Sequence, residues 1–450
     1  MANKTRDEID EEIDEEYDEE TIRREFRHKR RIRNQIITYA VTAIFLIGIA
    51  VGVFLGAKSV LTSVSDKKHA EELQAQLDEL QKEEEPVVIE APETTPEPVE
   101  EKSYLDEIVD SCIAEMPLED KVKGLFIITP EALTGTDIVV RAGDTTKEKI
   151  SEHAVGGLIY FKQNMKDSAQ LTEMLSNTVS YSKYPMFLAV DEEGGSVSRV
   201  AEAKLADNVG TMKEIGATQD TAKAQEAGAT IGNYLTGFGF NLNFAPVADV
   251  AMEGNETIGD RSFGNNAGEV ATMVAASVDG MQSSGMNVCV KHFPGLASSE
   301  EDTHDGMAST EKTLEDFETT DFLAFQAGID AGTEFVMVSH LSVPNITGDN
   351  TPSSLSEKMI TEVLRGQLGF EGIVITDAMN MAAITDYYGS DEAAVKALQA
   401  GADMILMPED FEAAYNGIIE AVNNGTLSEE IINESLLRVY RVKYKDKVEE

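Results

Sequence analysis

Residues 288–304 bring several ionisable side chains close together in the sequence. Lys291 and His292 directly follow a short β-branched run, and Asp302 stands two residues before His304. A carboxylate at that spacing can accept the ring N–H of the histidine, which fixes the tautomer and raises the basicity of the other ring nitrogen. The pair is therefore suited to shuttling protons, although in so acidic a chain an Asp-x-His sequence is more often a solvated turn.

A second reactive carboxylate lies in the segment 372–381. There the apolar run Ile373 to Asp377 ends in an acid just before a helical pattern. Such a carboxylate can attack the anomeric carbon of a sugar, because a nearby negative charge stabilises the oxocarbenium-like transition state. The alternative is a helix N-cap, a position that Asp favours. A retaining glycosidase also needs an acid/base group, and Asp302 with His304 can supply it, since an imidazole donates and accepts protons near neutral pH.

Eight short apolar runs alternate with longer, Ala-rich stretches of helical spacing after residue 103. This alternation predicts repeated βα units around a parallel sheet. The runs are Leu125 to Thr129, Gly157 to Phe161, Met186 to Asp191, Asn241 to Pro246, Val288 to His292, Phe335 to His340, Ile373 to Asp377 and Met404 to Met407. Eight units predict an α/β fold, a single (β/α)₈ TIM-type barrel. The rival is an open doubly wound sheet, but no Gly-x-Gly-x-x-Gly follows the first strand.

Most of these runs end in a polar or ionisable residue. The set is Asp191, Asp249, Lys291, His292, His340 and Asp377. A strand end often needs a polar cap, so each of them alone has a structural explanation. In a barrel, however, the C-terminal ends of the strands meet at one mouth, where active sites are built. Together the six residues predict a site at that mouth.

Three further segments precede the predicted barrel, which spans residues 103–450. Residues 1–35 form an acidic and then a basic tail, and 36–57 are an uncharged, mostly apolar run. That run is long enough to span a bilayer, and the positive-inside rule predicts a single-pass anchor with a cytoplasmic N-terminus and an extracellular barrel. A cleaved signal peptide, the alternative, has a shorter core. Residues 58–102 predict a helical and Pro/Glu-rich stalk whose heptad-like spacing leaves self-association open.

The composition excludes some functions. The 450-residue chain has a formal net charge of −45 and a pI of about 4.4, so we expect no nucleic acid partner. Its two cysteines, Cys112 and Cys289, lie far apart, and we expect no disulfide. Carboxylate and imidazole chemistry on sugars needs no metal, and we predict neither a metal nor a cofactor. The oligomeric state is not predicted.

Several motifs along the chain carry a family resemblance. They are Pro117–Val122, Asp191–Gly195 with Arg199, Asn243–Asp249, Ile258–Gly264, Lys291–Gly295, Asp302–His304 and the Asp377 segment. Through them, residues 103–446 resemble a glycoside hydrolase family 3 β-N-acetylglucosaminidase of the NagZ type. The resemblance implies that Asp377 is the nucleophile of a covalent glycosyl intermediate and that His304, oriented by Asp302, is the acid/base. It also implies that the hydroxyl groups of a terminal N-acetylglucosamine are bound by Asp191, Arg199, Arg261, Lys291 and His292.

The sequence also departs from the family pattern. Leu296-Ala297-Ser298 stands where members commonly carry His-Gly-Asp, and Ser196 stands where an Arg often follows Gly-Gly. The expected function is a retaining exo-β-N-acetylglucosaminidase, bound to the cell membrane, that acts on cell-wall (peptidoglycan) fragments or chitin-like glycans. Two alternatives remain open. One is a β-glucosidase or an N-acetylglucosaminide phosphorylase, since an imidazole acid/base leaves room for an anionic acceptor. The other is a non-catalytic glycan-binding barrel at the cell wall.

Overall fold

The computed structural model describes residues 103–252, 254–299, 301–445 and 447. The predicted tail (1–35), transmembrane helix (36–57) and stalk (58–102) lie outside these residues. In the part of the chain that is described, no helix combines the length and apolarity needed to cross a bilayer.

Eight parallel strands form the centre of the fold. The strands among the described residues are β1 (Phe126–Ile128), β2 (Gly157–Tyr160), β3 (Phe187–Val190), β4 (Glu192–Gly194), β5 (Val197–Ser198), β6 (Leu242–Asn243), β7 (Asn287–Phe293), β8 (Phe335–Val338), β9 (Ile373–Thr376) and β10 (Ile405–Leu406). β4 and β5 form a separate antiparallel hairpin, and the others run in the order β10-β1-β2-β3-β6-β7-β8-β9. A parallel bridge between Ile375 and Met404 joins the two ends of this sheet. The predicted barrel and its eight strands are confirmed.

Helices surround the barrel. The longer ones are Tyr104–Glu115, Asp144–Glu152, Ser168–Tyr181, Thr221–Phe238, Ala267–Gln282, Asp321–Asp330, Lys358–Gln367, Ser390–Ala400, Phe411–Asn423 and Glu429–Tyr444, of which Lys358–Gln367 is a π-helix. The short ones are Leu118–Lys123, Pro130–Thr134, Arg199–Glu202, Met212–Gly216, Leu314–Thr319, Pro344–Thr347 and Ala382–Thr385. Side-chain caps begin many of them, as Asp220 does for Thr221–Phe238 by accepting the Ala222 N–H at 3.1 Å.

The helices Thr221–Phe238 and Ala267–Gln282 approach each other closely because glycines face the contact. A Cβ atom on Gly228 would lie 2.4 Å from the Ser277 carbonyl oxygen, and one on Gly280 would lie 2.2 Å from the Gln225 carbonyl oxygen. Both distances are shorter than van der Waals contact, so any larger side chain would push the helices apart. The helix Ala267–Gln282 also packs against β7.

The end of the barrel opposite the mouth is held by a buried carboxylate. Asp403, which is fully buried, precedes β10 and accepts the Val374 N–H of β9 at 2.8 Å. It also accepts hydrogen bonds from Arg365 at 2.6 Å and Arg438 at 2.9 Å. Asp403 thereby joins the last two strands to the helices Lys358–Gln367 and Glu429–Tyr444, which closes the barrel at its seam.

We expect Asp403→Ala to lower the free energy of unfolding by about 3 kcal/mol, because removing one partner leaves two guanidinium groups without their carboxylate. Urea unfolding followed by circular dichroism measures the change. Glu226→Ala, on the exposed face of Thr221–Phe238, serves as the control and should change the value by less than about 0.5 kcal/mol. A loss of less than about 1 kcal/mol in Asp403→Ala would contradict this account of the seam.

Candidate active site

The loop after β3 carries two carboxylates into the mouth. Asp191 directly follows the strand and is half-buried, and Glu193 in β4 is buried, with its side chain fully covered. The hairpin turn after Glu193 needs glycine, since Gly194 has a φ of 100° and a Cβ there would lie 2.6 Å from the Met212 side chain. This turn returns the chain over the strand end, so that Glu193 points inward.

Glu193 holds two cations in place. Lys291 Nζ lies 2.7 Å from Glu193 Oε1 and 2.6 Å from Asp191 Oδ1. Arg261 donates to both oxygens of Glu193, from Nε and Nη2, each at 2.8 Å. Burial alone would raise the pKa of Glu193, but the charges of Arg261 and Lys291 outweigh it and hold the pKa well below its usual range. The four side chains form a salt-bridged network of fixed polar groups.

His292 joins this network in a defined tautomer. Its Nδ1 lies 2.7 Å from Asp249 Oδ2, and its backbone N–H donates to the same oxygen at 3.0 Å. Arg261 Nη2 lies 3.3 Å from His292 Nε2. A guanidinium can only donate, so Nε2 accepts and the ring proton sits on Nδ1. Asp249 also accepts the Leu296 N–H, at 2.5 Å, which places the Leu296–Ser298 turn, where the sequence departs from the family pattern, in the buried floor beside His292.

Asp377 directly follows β9 and is half-buried. Its Oδ1 accepts the Ala378 N–H at 2.8 Å, and the Ala378 carbonyl accepts His340 Nε2–H at 3.0 Å. Burial alone would raise the pKa of Asp377, but His292, His340 and the Ala378 N–H lower it below its ordinary value. His340 is itself buried, which lowers its pKa, and its Nδ1 lies 2.7 Å from Ser354 Oγ. Asp377 is thus an ionised carboxylate that is linked through the backbone of Ala378 to the buried His340 ring.

The Asp302–His304 pair lies at the edge of the mouth. His304 Nδ1 is 2.8 Å from Asp302 Oδ1, which also accepts the His304 backbone N–H at 2.9 Å. Thr257 donates to the other oxygen of Asp302 at 3.0 Å. The His304 side chain is 64% exposed, so its Nε2 is open to a ligand. Thr303, which lies between Asp302 and His304, is buried, and its backbone carbonyl accepts the Ala383 N–H at 3.1 Å. This hydrogen bond docks the loop on the segment that follows Asp377.

Arg199 stays apart from the network around Glu193. Glu192, the residue before Glu193, accepts the N–H groups of Val200 at 2.7 Å and Ala201 at 3.1 Å. It thereby holds the start of the helix Arg199–Glu202. The Arg199 guanidinium carbon lies 5.7 Å from the centre of the Phe161 ring, and its Nε is buried without a hydrogen-bond partner. Arg199 therefore lines the side of the mouth formed by the loops after β2 and β3.

The structure brings four of the eight predicted site residues into one network with Glu193: Asp191, Arg261, Lys291 and His292. The other four, Arg199, Asp302, His304 and Asp377, lie around this network. Three residues that position the site were not predicted from the sequence: the carboxylates of Glu193 and Asp249 and the imidazole of His340. Asp249 and His340 had been recognised as strand-end residues but not as groups that orient His292 and Asp377. For Glu193 the available signal was its place between Asp191 and a Gly-Gly turn, which folds it back over the strand end.

A parallel (β/α)₈ barrel with carboxylates, imidazoles and salt-bridged cations at its mouth has the architecture of a glycoside hydrolase. The family model described as the glycosyl hydrolase family 3 N-terminal domain matches residues 117–442. The chain therefore belongs to glycosyl hydrolase family 3. It is 31% identical over 327 residues to beta-hexosaminidase A of Pseudoalteromonas piscicida, in a match that covers 66% of this chain and 54% of that protein. It is 36% identical over 264 residues to the beta-hexosaminidase of Xylella fastidiosa strain M23, covering 57% and 77%.

Solved structures agree with this assignment. A family 3 beta-N-acetylglucosaminidase from Paenibacillus sp. strain FPU-7 has a TM-score of 0.67 and 33% identity, over 74% of this chain and 64% of that one. A beta-N-acetylhexosaminidase from Beutenbergia cavernae has a TM-score of 0.63 and 28% identity, over 73% and 99%. The chain spans about half the length of the Pseudoalteromonas relative.

Glu193→Gln tests the network through the pH dependence of stability. The folded-state pKa of Glu193 lies below the unfolded value of about 4.3, so the unfolded chain binds the proton first as the pH falls. The contribution of the carboxylate is therefore present above about pH 4.3 and is lost below it. We expect the variant to be less stable than the wild type at about pH 7, and the difference to shrink between about pH 5 and pH 3.5.

Urea titrations across that pH range measure the difference. Glu226→Gln, an exposed carboxylate on the helix Thr221–Phe238, is the matched control and should follow the wild type at every pH. A difference between Glu193→Gln and the wild type that does not change with pH would contradict the proposed charge network.

Proposed function

We propose that this protein is a retaining exo-β-N-acetylglucosaminidase that releases terminal β-linked N-acetylglucosamine from cell-wall or chitin-like glycans. The observation that carries the proposal is the pairing of two groups at one mouth, an ionised Asp377 and a histidine whose Nδ1 is held by Asp302. The matched relatives are named beta-hexosaminidases, which supports the same sugar class.

Asp377 attacks the anomeric carbon in the first step. Its carboxylate forms a covalent bond to that carbon while the glycosidic oxygen departs, taking the proton from Nε2 of a protonated His304. Asp302 accepts Nδ1–H, so it stabilises the imidazolium and directs Nε2 toward the leaving group. The lowered pKa of Asp377 keeps the nucleophile ionised at neutral pH.

Water completes the reaction in the second step. The now neutral His304 takes a proton from a water molecule, whose oxygen attacks the anomeric carbon and displaces Asp377. Two inversions at the same carbon retain the β configuration. His304 is thus returned to its protonated form, ready for the next leaving group. The high exposure of its side chain suits both the leaving glycan and the incoming water.

The network around Glu193 orients the sugar. Asp191 can accept from sugar hydroxyls, and Lys291 and Arg261 can donate to them. Such charge-assisted hydrogen bonds are stronger than neutral ones. All of these charges are already paired within the protein, so binding a neutral sugar leaves no buried charge uncompensated. The site is therefore suited to fixing one terminal sugar ring against Asp377.

The proposal includes the location of the enzyme. Residues 36–57 would serve as the membrane anchor and 58–102 as a stalk that carries the barrel outside the cell, within reach of wall glycans. This part rests on the length and apolarity of the segment and on the basic cluster before it.

We expect the purified full-length protein to release 4-nitrophenol from 4-nitrophenyl N-acetyl-β-D-glucosaminide. Asp377→Ala should lower kcat by about 10⁴-fold or more, because no group remains to form the glycosyl bond. Asn380→Ala, an exposed neighbour, is the control and should keep full activity. Absence of turnover by the folded wild-type protein at every pH from about 5 to 8 would overturn the proposal.

His304→Ala should affect substrates according to their leaving groups. With an N-acetylglucosamine disaccharide, kcat/KM should fall by about 10³-fold, whereas the 2,4-dinitrophenyl glycoside, which needs little protonation, should lose less than about tenfold. Asp305→Ala, on the same loop, is the matched control. Equal losses on both substrates would contradict the acid/base role of His304.

A further inference from the structure

The positions of the strands fix the direction in which a sugar crosses the mouth. In the closed order β10-β1-β2-β3-β6-β7-β8-β9, strand β3 lies opposite β9. Asp377 follows β9, and Asp191 follows β3. A ring with its anomeric carbon at Asp377 and its hydroxyls at Asp191 therefore points its far end, which carries C6, toward the loops after β2 and β3. This step rests on the proposed function.

An open pocket of about 640 Å³ lies in those loops. Its lining residues come from the turn after β2 and from the end of the helix Arg199–Glu202: Lys162, Gln163, Met165, Glu202, Ala203 and Lys204. The pocket is wide and open to solvent. Arg199 begins the helix whose other end lines the pocket, so the pocket adjoins the mouth on the side to which C6 points.

Cations dominate this pocket in a chain whose net charge is −45. Lys162 and Lys204 contribute two positive charges, and Glu202 contributes one negative charge. Lys162 Nζ lies 3.9 Å from Glu202, at the outer limit of an ion pair, and its side chain is 58% exposed. These two lysines are therefore available to a ligand that carries negative charge.

One further observation points to an anion. The Nε of Arg199 is buried without a hydrogen-bond partner while its guanidinium covers the Phe161 ring. An unpaired buried donor of this kind is stabilised by an acceptor from a ligand. Lys204 lies just past the end of the helix that Arg199 begins, in the left-handed conformation with a φ of 61° that commonly terminates a helix, and its N–H donates to the Ala201 carbonyl at 2.9 Å.

We propose that this pocket binds an anionic group, a phosphate or a carboxylate, carried at C6 of the terminal N-acetylglucosamine. Lys162 and Lys204 neutralise the charge, and Arg199 donates from the mouth side to the same group or to the neighbouring hydroxyl. A second neutral sugar would fit less well, because the residues that line the pocket include no aromatic side chain on which a pyranose could stack. The enzyme then accepts terminal sugars that are modified at C6.

Three substrates of the full-length protein separate the possible ligands. They are 4-nitrophenyl N-acetyl-β-D-glucosaminide, its 6-O-phosphate, and the analogue in which C6 is a carboxylate. Each is assayed with the wild type, with the double variant Lys162→Gln and Lys204→Asn, and with Lys166→Gln. Asn is chosen because it tolerates a positive φ, and Lys166 is an exposed lysine outside the pocket.

We expect the wild type to turn over at least one of the anionic substrates with a kcat/KM equal to or above that of the unmodified one. The double variant should lose about tenfold or more on that substrate, while the unmodified one changes less than about twofold. Lys166→Gln should match the wild type on all three. The anionic substrate that responds identifies the group as a phosphate or a carboxylate.

Rejection of both anionic substrates by the wild type, by about 100-fold or more in kcat/KM, would overturn the inference while the proposed function stands. Equal losses on charged and unmodified substrates in the double variant would also overturn it.

If no substrate is turned over, the proposed function fails. Calorimetric titration with N-acetylglucosamine 6-phosphate, its C6 carboxylate counterpart and N-acetylglucosamine then decides the inference separately. Tighter binding of an anionic sugar that is lost in the double variant would support it, and equal binding of all three would refute it.

Discussion

The arrangement of the mouth depends on one buried carboxylate, that of Glu193. Lys291 and Arg261 come from β7 and from the loop after β6, and both would be desolvated cations without a nearby negative charge. With Glu193 between them, each is oriented by a short hydrogen bond. Lys291 then reaches Asp191, and Arg261 reaches His292. Three strand ends are therefore joined by charge rather than by apolar packing, and the resulting surface of fixed polar groups is what a neutral sugar can bind.

The groups that react are held differently from the groups that bind. Asp377 is positioned through the backbone of Ala378, whose N–H donates to Asp377 Oδ1 and whose carbonyl accepts a hydrogen bond from the buried His340. His304 stands on an exposed loop, where Asp302 and the backbone of Thr303 restrain it. This difference suits the chemistry, because the nucleophile must stay ionised at a fixed point while the acid/base must meet leaving groups and water. The hydrogen bond between Thr303 and Ala383 still links the two loops, so their spacing does not depend on the exposed side chain alone.

Local patterns in the sequence predict most of the fold and part of the site. The eight apolar runs match β1–β3 and β6–β10 because a buried parallel strand needs a continuous apolar segment. The Asp302–His304 contact follows from a spacing of two residues. The partners of Glu193 and Asp249 could not be predicted in this way, since Lys291 and His292 lie far away in the chain and meet them only when the barrel closes. The acids Asp191, Glu192 and Glu193 are adjacent in the sequence. Only the hairpin decides that Asp191 and Glu193 face the mouth while Glu192 turns to the start of the helix Arg199–Glu202.

The central claim is that Asp377 forms the covalent bond to the sugar. It is tested most directly by incubating the full-length protein with a 5-fluoro derivative of N-acetylglucosaminyl fluoride, which slows the second step, and by mapping the trapped sugar by peptide mass spectrometry. The account predicts one sugar per chain, attached to Asp377 in the peptide that follows β9. A sugar attached to any other residue, such as Asp302 or Asp191, would contradict it, as would turnover of the fluoride by an Asp377→Ala protein.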